Sequence, residues 1–124
     1  EVGDRMMAQA GEMSVLSVAT QLYCTVEKVC LVKPNAFIPP PKVDSVVLRL
    51  VPRTDQPSSS EGIIALAKIG FAHRRKQLKP TLVSAGVCSI EKIDQAFSEM
   101  NLTKTIRPQE LSLEAWTELH SRLY

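Results

Sequence analysis

The sequence predicts an α+β chain in two parts: two antiparallel strands with flanking helices, then a small all-helical domain. Three observations predict this. Tyr23–Lys33 and Val43–Val51 have the β-branched, apolar composition of strands. The stretch PRTDQPSSSEG has the Pro- and Ser-rich composition of a linker. After it, apolar residues recur every three or four positions, which is the helical period. We therefore divide the chain into residues 1–53, a linker at 54–60 and a helical domain at 61–124.

The first part is predicted to begin with two helices. Glu1–Ala10 has the pattern of the tail of an amphipathic helix, and Ser14 is suited to cap a second helix that buries Val18 and Leu22. Val43–Val51 is apolar on both faces, which is typical of a strand covered on both sides. Because the two strands are close in sequence, we expect them to pair antiparallel.

The second part is predicted to hold four helices. The first begins at Ser59 or Ser60, and the second runs from near His73 to Gly86, a residue type suited to end a helix. Pro80 is expected to kink or split this second helix. The serine caps expected for the third and fourth helices are Ser89 and Ser112.

Composition limits the class of protein. The chain has 124 residues, of which 44% are hydrophobic and 23% charged, which indicates a soluble globular protein with a real core. Its three cysteines, Cys24, Cys30 and Cys88, lack metal or redox spacing, and we expect buried free thiols in a reducing compartment, the cytoplasm. No metal site is expected. No glycine-rich phosphate loop and no nucleophile–His pattern can be recognised, so no cofactor site of the chain's own is expected.

The formal net charge is only +2, but it is unevenly placed. Between Lys68 and Lys79 there are five Lys or Arg residues and no acid. On a helical wheel Arg75, Lys76 and Lys79 share an arc open to solvent, and such a face can hold the phosphates of a polyanion. The alternative is an ordinary solvated charge run.

A single aromatic ring, Phe37, precedes the three prolines Pro39–Pro41 at the start of a strand. Prolines stiffen the loop, so a ring held there is pre-positioned at little entropic cost and suits the stacking of a nucleobase. The alternative is that Phe37 plugs the core.

These stretches together resemble the KsgA family of small-subunit ribosomal RNA adenine dimethyltransferases. The segments EVGDRM, LSV, AFIPPPKVDSVVLRLVPR, FAHRRKQL and IRPQELSLEAW occur in the order expected of that family. Erm-type large-subunit methyltransferases are similar too, but PPPKVDS followed by HRRKQL is closer to KsgA. The match is to the C-terminal part of the family, without its glycine-rich S-adenosylmethionine loop or its Asn-Leu-Pro-Tyr type motif.

The resemblance implies both a fold and site residues. The two strands would be the last two of a Rossmann-like methyltransferase sheet, and the helical domain would help to grip ribosomal RNA. Phe37 would line the adenine pocket, with Pro39 and Pro40 beside it. The residues implied to bind RNA are Lys42, Arg74, Arg75, Lys76 and Lys79.

The implied activity is transfer of methyl groups from S-adenosylmethionine to two adjacent adenines of small-subunit rRNA. The implied partners are that rRNA and the pre-ribosomal small subunit, and no membrane. These 124 residues alone are expected to bind rRNA without catalysing methylation. Two alternatives stay open: a non-enzymatic nucleic-acid-binding helical module, and a purely structural domain with Phe37 buried.

Overall fold

The computed structural model describes all 124 residues as one two-stranded sheet, six α-helices and three short 3₁₀-helices. The strands are β1 (Cys24–Val32) and β2 (Ser45–Pro52), and the α-helices are α1 (Val2–Met6), α2 (Val15–Tyr23), α3 (Ser60–Gly70), α4 (Leu78–Ala85), α5 (Ile90–Glu99) and α6 (Leu113–Leu123). The 3₁₀-helices are Pro34–Ala36, Phe71–His73 and Pro108–Glu110. None of the helices is long and apolar enough to span a membrane.

The two strands form an antiparallel ribbon, which confirms the predicted pairing. Cys24 lies opposite Pro52 at one end and Val32 lies opposite Ser45 at the other, with a bulge between Lys28 and Cys30. The observed bounds differ from the predicted ones by one or two residues at each end. The loop between the strands therefore lies at the end of the ribbon where Val32 and Ser45 pair.

The prediction that β2 is covered on both sides is wrong within these residues. One face contacts α1, where Gly3 packs so closely that a Cβ at this position would collide with the side chain of Val46. Elsewhere large apolar side chains face solvent: Val47 and Leu50 are each 44% exposed, and Leu31 on β1 is 46% exposed. A two-stranded ribbon cannot cover both of its own faces. Its strands therefore carry more apolar side chains than this packing buries.

The start of the chain is also more irregular than predicted. The first helix ends at Met6, well before Ala10. The predicted cap at Ser14 is confirmed: its Oγ accepts a hydrogen bond from the backbone N–H of Ser17 at 3.3 Å, and the Ser17 Oγ accepts one from the Ser14 N–H at 3.2 Å. The Ser17 hydroxyl is also 2.5 Å from the carbonyl oxygen of Arg5, which ties α1 to α2.

The core surrounds Trp116 and draws residues from both sides of the predicted linker. Its 15 buried members are Met13, Val18, Leu22, Ile63, Leu66, Ala67, Leu78, Leu82, Ile93, Ala96, Phe97, Leu111, Trp116, Leu119 and Leu123. The α2 side chains thus pack with the helices that follow the linker. Within residues 1–53, the Nε of Arg53 donates to the carbonyl of Gln21 at 2.7 Å. The division at residues 54–60 stays a prediction.

The ends of the helices after the linker agree in part with those predicted from the sequence. Ser89 and Ser112 cap α5 and α6 through their hydroxyls, as predicted. Gly86 ends α4 with a φ of +69°, in the left-handed region that favours glycine. No side chain caps α3: Ser59 is in the cap position without a cap hydrogen bond, and the Ser60 hydroxyl donates to the carbonyl of Pro57 at 2.7 Å.

The second predicted helix of this part begins later than expected, at Leu78 and not near His73. Residues 71–73 form a 3₁₀-turn, followed by an irregular turn to residue 77. Pro80 consequently lies in the first turn of α4. The first N–H groups of a helix have no intrahelical acceptor, so a proline there costs no hydrogen bond and neither kinks nor splits the helix.

The expectation of buried thiols is wrong for Cys30, which is exposed on β1, while Cys24 and Cys88 are half-buried. All three thiols are free. The reason is again the uncovered ribbon: an apolar sequence around Cys30 predicted a covered strand, and no element of the chain covers that face.

Candidate nucleic-acid interface

The loop between the strands is hydrogen-bonded at its base. We call residues 33–44 the proline loop. The Lys33 ammonium lies 3.3 Å from a carboxylate oxygen of Asp44, which links the two ends of the loop. At its start, the backbone N–H of Ala36 donates to the carbonyl of Lys33 at 3.0 Å, and that of Phe37 donates to the carbonyl of Pro34 at 3.2 Å. The backbone that carries the Phe37 ring is therefore held in a short 3₁₀-turn.

Phe37 is 42% exposed and does not belong to the core, so within these residues it is not a core plug. Ile38 beside it is fully exposed, and Pro39, Pro40 and Lys42 are exposed as well. The ribbon is roughly 25 Å long at the usual rise per residue, measured from the Cys24–Pro52 pair to the Val32–Ser45 pair beside the loop. The loop therefore presents an open aromatic ring at the end of a ribbon, which is what stacking on a base requires.

The predicted basic residues lie on a turn and not on a helix. We call Ala72–Gln77 the basic turn; all six of its residues are exposed. It is fixed at both ends, because the Phe71 ring packs 5.6 Å from the ring of Trp116 and the Leu78 side chain is fully buried. These two anchors face the core, so the residues between them must project outward. Arg75 and Lys76 are thus exposed as predicted, although not as one helical face, and Arg74 beside them is exposed as well.

Lys79 differs from its prediction. Its ammonium makes an ion pair with the carboxylate of Asp94 on α5, and its side chain is only 20% exposed. A helical wheel drawn for α4 alone places Lys79 in solvent, because it does not include the neighbouring helix. Since a carboxylate already neutralises this charge, Lys79 is a weaker candidate for a phosphate contact than the basic turn.

Two further exposed cations belong to a segment whose backbone is bonded to the residue after the basic turn, and the sequence patterns did not indicate them. The backbone N–H of Leu78 donates to the carbonyl of Ile106 at 2.8 Å, which brings the segment 103–107 against the end of the basic turn. Lys104 and Arg107 flank Ile106 and are both exposed. A count of charges along the chain does not reveal these two cations, because acids outnumber bases from residue 89 onward. One signal in the sequence did point to Arg107: it belongs to the stretch IRPQELSLEAW, which is part of the family resemblance.

The result is a surface with five cations that make no ion pair within the chain. Its members, which we call the cationic surface, are Arg74, Arg75, Lys76, Lys104 and Arg107. Unpaired arginines and lysines on neighbouring turns can each contact a phosphate without first breaking an ion pair. No hydrogen bond or ion pair joins this surface to the proline loop. The two features belong to different parts of the fold.

S-adenosylmethionine, the cofactor that the resemblance implies, does not fit these residues. Cofactor loops need glycines where the backbone approaches the ligand, but Gly3, Gly62 and Gly70 all pack against side chains of the chain itself. Gly11 and Gly86 lie in separate left-handed turns next to open space. No glycine therefore lines a cradle, and we derive no chemical step through the cofactor. No group of three or more His, Cys, Asp or Glu side chains is arranged to hold a metal ion.

Two comparisons with known sequences agree on one family. The family description "Ribosomal RNA adenine dimethylase" matches residues 1–122. A protein of Thermosynechococcus vestitus named ribosomal RNA small subunit methyltransferase A is 44% identical over 123 residues, which cover 96% of this chain and 46% of that protein. A protein of the same name from Marinomonas sp. is 36% identical, over 96% of this chain and 44% of that protein. The chain thus spans less than half the length of these relatives.

Solved structures support the fold. The crystal structure of the 23S rRNA methyltransferase ErmE aligns with a TM-score of 0.73 at 22% identity, over 98% of this chain and 50% of that one. A dimethyladenosine transferase from Plasmodium falciparum aligns with a TM-score of 0.68 at 25% identity, over 94% of this chain and 51% of that one. The ribbon and the helices of this chain are thus arranged as they are in parts of these two methyltransferase structures.

Proposed function

Because the chain belongs to the ribosomal RNA adenine dimethylase family, we propose that it is the RNA-gripping part of an enzyme that dimethylates two adjacent adenines of small-subunit rRNA. S-adenosylmethionine is the methyl donor in this proposal, and other residues of the enzyme bind it. By themselves, these 124 residues bind rRNA and do not catalyse the reaction. The partners are small-subunit rRNA and the pre-ribosomal small subunit, in the cytoplasm.

The observation that carries the proposal is the cationic surface. Its five side chains extend from two adjoining turns, and none is neutralised by an acid of the chain. Contacts to phosphates position a protein on a nucleic acid without reading its sequence. In our proposal this surface fixes the enzyme on the rRNA, and selection of the adenines takes place elsewhere.

The proline loop has the second role. In our proposal Phe37 stacks on the target adenine after it leaves the RNA stack, and Pro39 and Pro40 hold the loop in place. Lys42, exposed and without an ion-pair partner, contacts a nearby phosphate. A base held in one plane presents its exocyclic amine to the methyl donor in a fixed direction, so the contribution of this loop is positioning.

The test is RNA binding by the chain with Arg74, Arg75 and Lys76 all changed to Ala. Each lost phosphate contact should reduce the slope of log affinity against log salt by about 0.7–0.9. The triple variant should therefore bind an rRNA hairpin more weakly, with a slope lower by roughly 2 to 3. A matched control changes three exposed cations outside this surface, Lys28, Arg49 and Lys92, to Ala.

The control removes the same net charge, so it separates a local contact from a general effect of charge. Equal losses of affinity and slope in both triple variants would contradict the proposal. The alternative of a non-enzymatic nucleic-acid-binding module also rests on the cationic surface. It predicts equal affinity for small-subunit rRNA and for an unrelated duplex, measured in the same titrations.

A further inference from the structure

A groove lies directly beside the basic turn, between that turn and α4. Its volume is about 450 Å³, which is within the range of roughly 300–1,000 Å³ common for small-ligand sites. The apolar part of its lining comes from Ile69 at the end of α3, Ala72, the ring of Pro80 and the methyl group of Ala85. Ile69 also packs against the core, which anchors this part of the lining.

The rim of the groove is polar and open to solvent. His73 and Lys76 of the basic turn line one side, and the exposed hydroxyl of Ser84 on α4 lies in the lining as well. The hydroxyl of Thr81 is not free, because it donates to the carbonyl of Gln77 at 3.2 Å. The groove thus combines apolar side chains with an imidazole, a hydroxyl and a cation.

We infer that this groove binds one unpaired nucleotide of the RNA, with its base against the apolar side chains of the lining and its phosphates on Lys76 and the neighbouring arginines. The inference rests on the proposed function, because it takes the bound polyanion to be RNA. It adds a second base-binding position, on a different part of the fold from the proline loop.

Two arguments favour a nucleotide over other occupants. Lys76 belongs both to the groove and to the cationic surface, so the phosphate of a nucleotide in the groove can contact its ammonium, and Arg74 and Arg75 precede it in the basic turn. An unstacked base has flat apolar faces and a polar edge, which match a lining of apolar side chains, donors and acceptors. A paired helix presents no such base, since its faces are stacked, and so it can contact only the cations.

The experiment compares two RNA hairpins of equal length and charge. One carries a single bulged adenosine, and the other carries an abasic residue at the same bulge. Affinity of the 124-residue chain for each is measured by fluorescence anisotropy. Phosphates and bulge geometry are shared, so the ratio of the two affinities reports on the base alone. We expect the adenosine hairpin to bind about tenfold tighter or more.

Two variants locate the effect. Ser84→Phe fills the groove without a change of charge, and we expect it to bind both hairpins with the affinity that the wild type has for the abasic one. Ala85→Leu fills less of the groove and should reduce the preference in part, so the result does not depend on one variant folding. Ser98→Phe, at an exposed position of α5 outside the groove, is the matched control and should keep the full preference.

Equal affinity of the wild type for both hairpins would overturn this inference and leave the proposed function intact. An unchanged preference in Ser84→Phe and Ala85→Leu would also overturn it, because the base would then be bound elsewhere. Failure of the wild type to bind either hairpin would instead overturn the proposed function, and this inference with it.

Discussion

Replacing Phe37 with Ala tests whether its ring is a surface platform or a structural plug. Complete burial of a Phe side chain stabilises a protein by about 1.5–3 kcal/mol. The ring of Phe37 is 42% exposed, so somewhat more than half of that contribution is realised. We therefore expect Phe37→Ala to lower the free energy of unfolding by about 1–2 kcal/mol. Phe97→Ala is the matched control, because Phe97 is 3% exposed in the core.

The control should lower the free energy of unfolding by about 3–5 kcal/mol, since it also leaves a cavity that the core does not refill. The assay is urea denaturation of the two variants and the wild type, with the transition followed by the fluorescence of Trp116. Equal destabilisation by the two substitutions would refute the reasoning. Phe37 would then be a structural side chain, and its exposed ring would not be available to a base.

Two other substitutions test the packing around the cationic surface. Gly70→Ala should lower the free energy of unfolding by about 1–3 kcal/mol, because the new Cβ would lie 2.7 Å from Cη2 of the buried Trp116; thermal denaturation measures this. Lys79→Ala should leave the salt slope of RNA binding almost unchanged, because Asp94 already neutralises this ammonium. The contrary result, in the RNA titrations described above, is that Lys79→Ala reduces the slope as much as the loss of one side chain of the basic turn does. That result would show that Lys79 contacts a phosphate.

Local signals in the sequence predicted the helix ends and the strand pairing well. Ser14, Ser89 and Ser112 form their caps, and Gly86 has the backbone conformation expected of a helix stop. A cap depends on a hydroxyl and an N–H group three residues apart, so sequence alone suffices to predict it. The antiparallel ribbon follows for a similar reason, because the two apolar segments are close in sequence.

The basic turn shows why longer-range features could not be predicted. The periodicity of residues 73–85 suits a helix, and the chain instead begins α4 at Leu78, whose N–H is bonded to the carbonyl of Ile106. This contact depends on a segment almost thirty residues away along the chain. The same contact brings the segment that carries Lys104 and Arg107 to the end of the basic turn, and the ion pair of Lys79 with Asp94 also needs a second helix.

The ribbon illustrates a second limit. Its sequence has two apolar faces and so predicts a strand covered on both sides, yet Leu31, Val47 and Leu50 face solvent here. A pattern of residue types reports what a strand can bury and does not specify which segments bury it. For the site, sequence predicted the exposed positions of Arg75 and Lys76, but their roles, like those of Arg74 and Phe37, stay predictions.

The most direct measurement of the central claim is single-turnover methylation of small-subunit rRNA by the full-length methyltransferase that we propose contains these residues. Phe37→Ala should lose a base stacking interaction of about 1–3 kcal/mol, a reduction in rate of roughly fivefold to a hundredfold or more. Phe37→Tyr should keep most of the rate, because its ring can still stack. Full-rate dimethylation of both adenines by folded Phe37→Ala would contradict the account.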